Sequence, residues 1–136
     1  MFIVGIIGPY ISGGNRRLID HNIANARYVG ICIANHFRES KLVGVFIPHT
    51  HTAEWEKLAE APEAYYHALD DAIYDGACVG FVLLPDWKNS SGARRDQERA
   101  EQAKKKVFEL LSWQEQDIRI LLFQIAEWAK NLQNRI

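Results

Sequence analysis

Cysteine is scarce in this 136-residue chain, which contains only Cys32 and Cys78. Each lies inside an apolar run, so both read as small buried hydrophobes in a reducing compartment, and a disulfide framework is excluded. Long hydrophobic runs are missing as well. Nothing approaches the ~20 apolar residues needed to cross a bilayer, and the opening MFIVGIIGPY lacks the basic flank and the length of a secretory signal. A cytoplasmic protein without a membrane partner is expected, and the sequon Asn89-Ser90-Ser91 is then a chance match. Nor is there an excess of charge: 16 Lys and Arg face 17 Asp and Glu, a net charge of -1, so no global field recruits a nucleic-acid polymer. Specific nucleotide signatures are also lacking. Gly8, Gly13 and Gly14 form neither a Walker loop nor G-x-G-x-x-G, which removes the standard triphosphate and dinucleotide readings.

What is present is an alternation of strand and helix patterns. Four short apolar runs, at 2–7, 42–47, 78–84 and 107–111, are separated by segments of helical period. The first three are almost continuously apolar, as strands of a parallel sheet covered on both faces must be. Ile23, Ala26, Gly30, Ile33 and Phe37 share one face of a helix over 15–38. A short helix is expected at 53–60, and Pro62 suits the first turn of the next one, in which Leu69, Ala72 and Ile73 face the core. Gly92 or Ala93 opens a fourth helix, and Lys104 to Lys106 form a solvated turn into the last strand. Ile118, Leu121, Leu122, Ile125, Ala129 and Leu132 make a stripe on a final amphipathic helix within 112–136, which packs on the sheet or on a second subunit. The expected fold is α/β: a flavodoxin- or Rossmann-like three-layer sandwich, with a parallel sheet of four or five strands and helices on both faces, in one domain spanning 1–136.

In such a sheet, ligands bind at the carboxyl ends of the strands, where loop amides and helix N-termini converge. The first strand ends in GPYISGGNRR, the second in PHTHT and the third in PDWKNSSGARRD. The first loop, with Ser12, Asn15, Arg16 and Arg17, holds either a phosphate or sugar or an ordinary turn capped by Asn15. In the third, Ser90-Ser91-Gly92-Ala93 gives small residues where a ligand can approach the backbone. Asp96 falls in the first turn of the helix or just beyond, where the helix dipole favours its ionised form. Caps explain the same residues equally simply. His49 and His51 alternate on a segment read as extended and so point the same way; with no third ligand at recognisable spacing, no metal is expected. Trp87 covers the crevice or packs beneath its loop. Tyr65 and Tyr66 serve as core, pocket wall or dimer contact. Asp70 borders an apolar helix face, where an acid needs a partner or a role.

The order of these motifs resembles the nucleoside 2-deoxyribosyltransferase-like superfamily. The shared features are Gly8-Pro9-Tyr10 at the first strand end, an acid at Asp70 in the helix before the third strand, Leu84-Pro85 followed by Trp87, and Ser90, Gly92, Ala93, Asp96 and Ala100 in the pattern S-x-G-A-x-x-acid-x-x-x-A. Its small bacterial and phage branch looks closest. The deoxynucleoside 5'-monophosphate N-glycosidases have a first loop similar to Ile11-Ser12-Gly13-Gly14. The resemblance spans roughly 1–110 and leaves out the C-terminal helix.

The resemblance implies cleavage of the bond between a deoxyribose carbon and a base, by hydrolysis or by transfer, with a nucleoside or its 5'-monophosphate as small-molecule partner and no cofactor. Asp96 then stands at the nucleophile, Tyr10 orients it, Asp70 contacts base or sugar, and Ser90 contacts sugar. Gly8, Pro9, Ser12, Gly13, Asn15, His49, Trp87, Gly92 and Ala93 line the substrate site. A homodimer or higher homo-oligomer is expected. Two positions depart from the pattern: Asp96 replaces a glutamate and is one methylene shorter, and Ser12 replaces a phosphate-clasping arginine, for which Arg16 or Arg17 would compensate. The alternatives are a catalytically silent nucleotide-binding relative and an oligomeric interaction module built on the C-terminal helix.

Overall fold

The computed structural model describes residues 1–136 apart from 54, 56 and 57. In chain order the elements are β1 (Phe2–Ile7), α1 (Arg16–His36), β2 (Val43–Phe46), α2 (Pro48–His51), α3 (Glu63–Gly76), β3 (Cys78–Leu83), α4 (Ser91–Gln102), β4 (Lys106–Glu109) and α5 (Glu115–Gln133). The four strands form one parallel sheet in the order β2-β1-β3-β4. This is the flavodoxin-like arrangement with four strands.

Side chains alternate across the sheet, and both faces are covered. Val4, Ile6, Val82, Leu84, Phe108 and Leu110 point to one face, where Ala26, Val29 and Ile33 of α1 and Ile118, Leu121, Ile125 and Ala129 of α5 pack on them. Ile7, Phe81 and Leu83 point to the other, against Tyr74 of α3 and Ala93 and Ala100 of α4. The helical stripes expected in α1 and α5 are therefore the ones buried. Among the described residues no helix is long and apolar enough to cross a membrane. Cys32 and Cys78 are both free thiols.

Several local expectations change. The short helix expected at 53–60 falls in part on 54, 56 and 57, outside the described residues. Pro62 is the residue before α3, with φ -75° and ψ 165°, and not part of its first turn. Ala72 is exposed, and the buried residue of α3 is Tyr74. The helix presents Tyr66, Asp70 and Tyr74, spaced four apart, on one side. Lys106 belongs to β4, and Lys105 is no solvated helix end: its Nζ donates to the carbonyls of Tyr74 and Asp75, at 2.7 and 2.9 Å, and closes the end of α3.

Gly5 sets how closely α3 approaches the sheet. A Cβ there would lie 2.8 Å from Cε1 of Tyr74 and 3.0 Å from the ring of Phe81. Rings of this size cannot swing aside in a filled layer. With only hydrogen at position 5, the Tyr74 hydroxyl reaches the sheet and donates to the Ile6 carbonyl at 2.6 Å. Gly5→Ala is expected to lower stability by ~1–3 kcal/mol through overpacking, measured by urea denaturation. Gly76→Ala, where a Cβ meets nothing within 4 Å, is expected to be neutral or stabilising by up to ~1 kcal/mol.

Candidate active site

β1 and β3 are neighbours, but the chain leaves them towards opposite faces, into α1 and α4. A crevice opens where two such loops part, at the topological switch point. Gly8 begins the first of these loops: a Cβ there would fall 2.8 Å from Cδ1 of Leu84, so the two loops touch before they diverge.

On the β1 side, the imidazole of His49 donates from Nε2 to the Pro9 carbonyl at 2.7 Å. The Tyr10 ring packs edge-on against the same imidazole, with centroids 5.7 Å apart. His49 is buried, and burial pushes its pKa down, against the pull of the Pro9 and Gly8 carbonyls. The ring is therefore neutral, and its Nδ1 is buried with no hydrogen-bond partner among the described residues. The expectation that His49 and His51 point the same way fails. Residues Pro48–His51 form a helical turn and not an extended segment, so the two rings diverge: His51 is exposed and lies edge-on to Phe46 at 5.6 Å. Among the described residues, no group of three or more metal-ligating side chains is gathered.

The rest of the first loop is an exposed turn. Ser12, Gly13 and Gly14 have φ of 46°, 68° and 81°, and the Asn22 amide holds the serine there by donating to Ser12 Oγ at 2.8 Å and to the Tyr10 carbonyl at 3.1 Å. Asn15 acts as a helix cap, accepting from the Leu18 amide at 3.2 Å. Arg16 pairs with Asp20 at 2.7 Å.

On the β3 side, the Trp87 indole N–H donates to Glu109 Oε1 at 3.2 Å, which ties the loop to the end of β4. Ser90 caps α4, accepting from the Ala93 amide at 3.2 Å. Because Ser90 is the cap, α4 begins at Ser91, earlier than Gly92 or Ala93. Ala93 is 2 % exposed and belongs to the core; Gly92 faces open space, with only Ser90 Oγ at 4.0 Å from where a Cβ would sit.

That earlier start moves Asp96 into the second turn of α4, ~7–8 Å along the axis from Ser91. The dipole acts mainly within the first turn, and here it is outweighed. Burial raises the Asp96 pKa to about 6; Arg95 and Arg99 oppose this, while Asp71 and Asp70 reinforce it. Asp70 is likewise raised to about 6 by burial, opposed by His67 and His51 and reinforced by Asp71. Its Oδ1, like the hydroxyl of Tyr66 one turn away, is buried without a hydrogen-bond partner among the described residues. The tyrosine whose hydroxyl feels the charges of Asp96 and Asp70 is Tyr74.

A ladder of charge joins α3 to α4. Arg95 grips Asp71 with two nitrogens, at 3.2 and 2.6 Å, and touches Asp96 Oδ1 at 3.3 Å. Arg99 pairs with Asp71 and, at 2.7 Å, with Asp75. Burial works against the charge on Asp71, but the two guanidiniums hold its pKa below the ordinary value.

The site residues thus fall into three groups. Gly8, Pro9, Tyr10 and His49 form one cluster; Asp70 and Asp96, with Tyr66 and Tyr74, form the second; Trp87 and Ser90 lie on the loop that leads into α4, and Gly92 in its first turn. Chemically, two carboxyls that titrate near neutrality beside one another can divide the roles of acid and base. Tyr74, Asp71, Arg95 and Arg99 were not foreseen as site residues. The available signal was a pair of i,i+4 spacings, Asp71/Asp75 and Arg95/Arg99, on helices not known to be adjacent. The open depression of ≈580 Å³ lined by Val79, Lys104, Lys105, Lys106, Trp128 and Leu132 lies at the amino ends of β3 and β4 and has no acid in its wall. No family model, curated protein or solved structure matches the chain significantly.

The raised pKa of Asp96 has a cost. Its folded value, about 6, exceeds the ~3.9 of an unfolded aspartate, so the folded state binds the proton more tightly. The penalty is absent below pH ~4, grows through the window between ~4 and ~6, and is complete above it. Asp96→Asn is expected to gain stability over wild type across that window, reaching ~2–3 kcal/mol at pH 7.5. Urea denaturation at pH 4 and pH 7.5 measures it; an unchanged difference between the two would show that the carboxyl titrates normally.

Proposed function

We propose that the protein cleaves the N-glycosidic bond of a nucleoside or nucleoside 5'-monophosphate through a carboxylate nucleophile. The observation that carries this reading is that two half-buried acids facing the α3–α4 layer, Asp70 and Asp96, both have pKa values raised to about 6, Asp96 feeling the charge of Asp70. Their environments are unequal. Asp96 touches a guanidinium, which favours its charged form; Asp70 has a buried oxygen without a partner, which favours its neutral form. Asp96 is then the nucleophile and Asp70 the acid. An Asp96 oxygen forms a bond to the anomeric carbon as the carbon–nitrogen bond breaks, and the electron pair leaves with the base, which takes the Asp70 proton. Water then attacks the glycosyl ester, giving its proton back to Asp70 and freeing Asp96 and the sugar. A second base in place of water gives transfer. Neutral His49 and Tyr10 would form a further wall of the site, and the open space beside Gly92 would leave room for the sugar.

A catalytically silent nucleotide-binding relative is the second reading. The contact between Arg95 and the shorter Asp96 side chain, 3.3 Å, favours it, because an oxygen held there is less available for attack. The two are separated by incubating the full chain with 2'-deoxynucleosides and their 5'-monophosphates and measuring free base by chromatography. Wild type is expected to release base, Asp96→Ala to lose the activity, Asp96→Glu to retain or increase it, and Asp70→Asn to lose ~10²–10⁴-fold in rate. Saturable nucleotide binding without base release by wild type would defeat the enzyme reading.

A further inference from the structure

The Arg95 guanidinium serves two carboxylates, unequally. Its fork is closed on Asp71, with Nη2 to Oδ2 at 2.6 Å and Nη1 to Oδ1 at 3.2 Å. Only the shared Nη1 reaches Asp96, at 3.3 Å. Asp71 is in turn held by Arg99, so the guanidinium of Arg95 is fixed from the α3 side before it meets Asp96. A paired fork on Asp96 itself would drive the acid fully ionised and occupy both its oxygens. With the fork engaged elsewhere, Asp96 receives one long contact.

We infer that Arg95, clamped by Asp71, is a positioning residue: it holds the Asp96 carboxylate in one rotamer beside α3 and selects it, over Asp70, as the charged member of the pair. This rests on the function proposed above for the pair, and Arg95 itself acts through Asp96 without touching substrate. The groups facing Asp96 are Arg95 and Arg99 on its own helix and Asp70, Asp71 and Tyr74 on α3. Asp75 and Lys105 share with it a recess of only ≈10 Å³ between the helices. In that setting Asp71 has two effects on Asp96, its own negative charge and its hold on Arg95, and both keep Asp96 from becoming a permanent anion.

The consequence is a pair of opposite responses. Carbon NMR of aspartate carboxyls in the full chain, with the Asp96 signal assigned by its loss in Asp96→Asn, gives the midpoint directly. Arg95→Gln is expected to raise the Asp96 midpoint by ~1 pH unit, and Asp71→Asn to lower it by a similar amount, as the released guanidinium closes on Asp96. Arg95→Lys restores the charge but not the fork and is expected to recover most of the midpoint. A loss of packing alone would move all three variants in one direction. In the assay, the acid limb of the kcat/KM profile follows the same shifts. An unmoved midpoint in folded Arg95→Gln, or an upward shift in Asp71→Asn, overturns the inference, even in an active enzyme. Midpoints that move as stated in a protein that releases no base uphold the clamp and remove the reaction.

Discussion

The bond from the Tyr74 hydroxyl to the Ile6 carbonyl, 2.6 Å long and buried, sets the distance between α3 and the sheet, and most of the site follows from it. It forms because position 5 carries no side chain. The ring fits between Phe46 and Phe81, edge-on to both at 5.8 and 5.1 Å, and its hydroxyl meets a strand carbonyl instead of being buried unpaired, which would cost ~1–3 kcal/mol. With Tyr74 anchored near the carboxyl end of β1, Asp70 and Tyr66 stand one and two turns nearer the crevice. Ala93 and Ala100 bring α4 down onto the same face, and the acids of α3 then meet the arginines of α4. Asp96 is carried into place by that contact.

The ladder between these helices is poorly explained as a source of stability. Half-exposed ion pairs contribute ~0–1 kcal/mol each, and Arg95 is 48 % exposed. Against that gain stand Asp70 and Asp96, whose raised pKa values mean that their ionised forms oppose folding. Two guanidiniums serve Asp71, Asp75 and Asp96, and among the described residues Asp70 receives none. An arrangement optimised for stability would have neutralised or exposed the surplus.

The layers of the fold were legible because each depends on a period. Ile23, Ala26, Gly30 and Ile33 all lie at a spacing that admits only a helix with one buried face, and the valine- and isoleucine-rich runs are too apolar for strands with a wet side. Where local chemistry competes with period, the sequence is ambiguous. PHTHT alternates like a strand, but Pro48 presets the φ of a helical first residue, and the segment turns. In α3, the Leu69, Ala72 and Ile73 spacing is as regular as that of Tyr66, Asp70 and Tyr74; the missing side chain of Gly5, far away in the chain, decides in favour of the second set. The position of Asp96 depended on a single residue. Moving the cap to Ser90 lengthens the helix before it and takes the acid beyond the reach of the dipole. The partnership of Asp71 and Asp75 with Arg95 and Arg99 follows from strand order, because α3 and α4 become neighbours only once β3 lies between β1 and β4.

The two acids stand in unequal surroundings. Here burial is the main cause acting on both, and the opposing charges differ in kind. Asp96 is countered by guanidiniums, which stay charged at every relevant pH. Asp70 is countered by His67 and His51, both exposed imidazoles. Asp70 keeps a buried oxygen without a partner among the described residues, which favours its neutral form, while the arginines of α4 favour the charged form of Asp96.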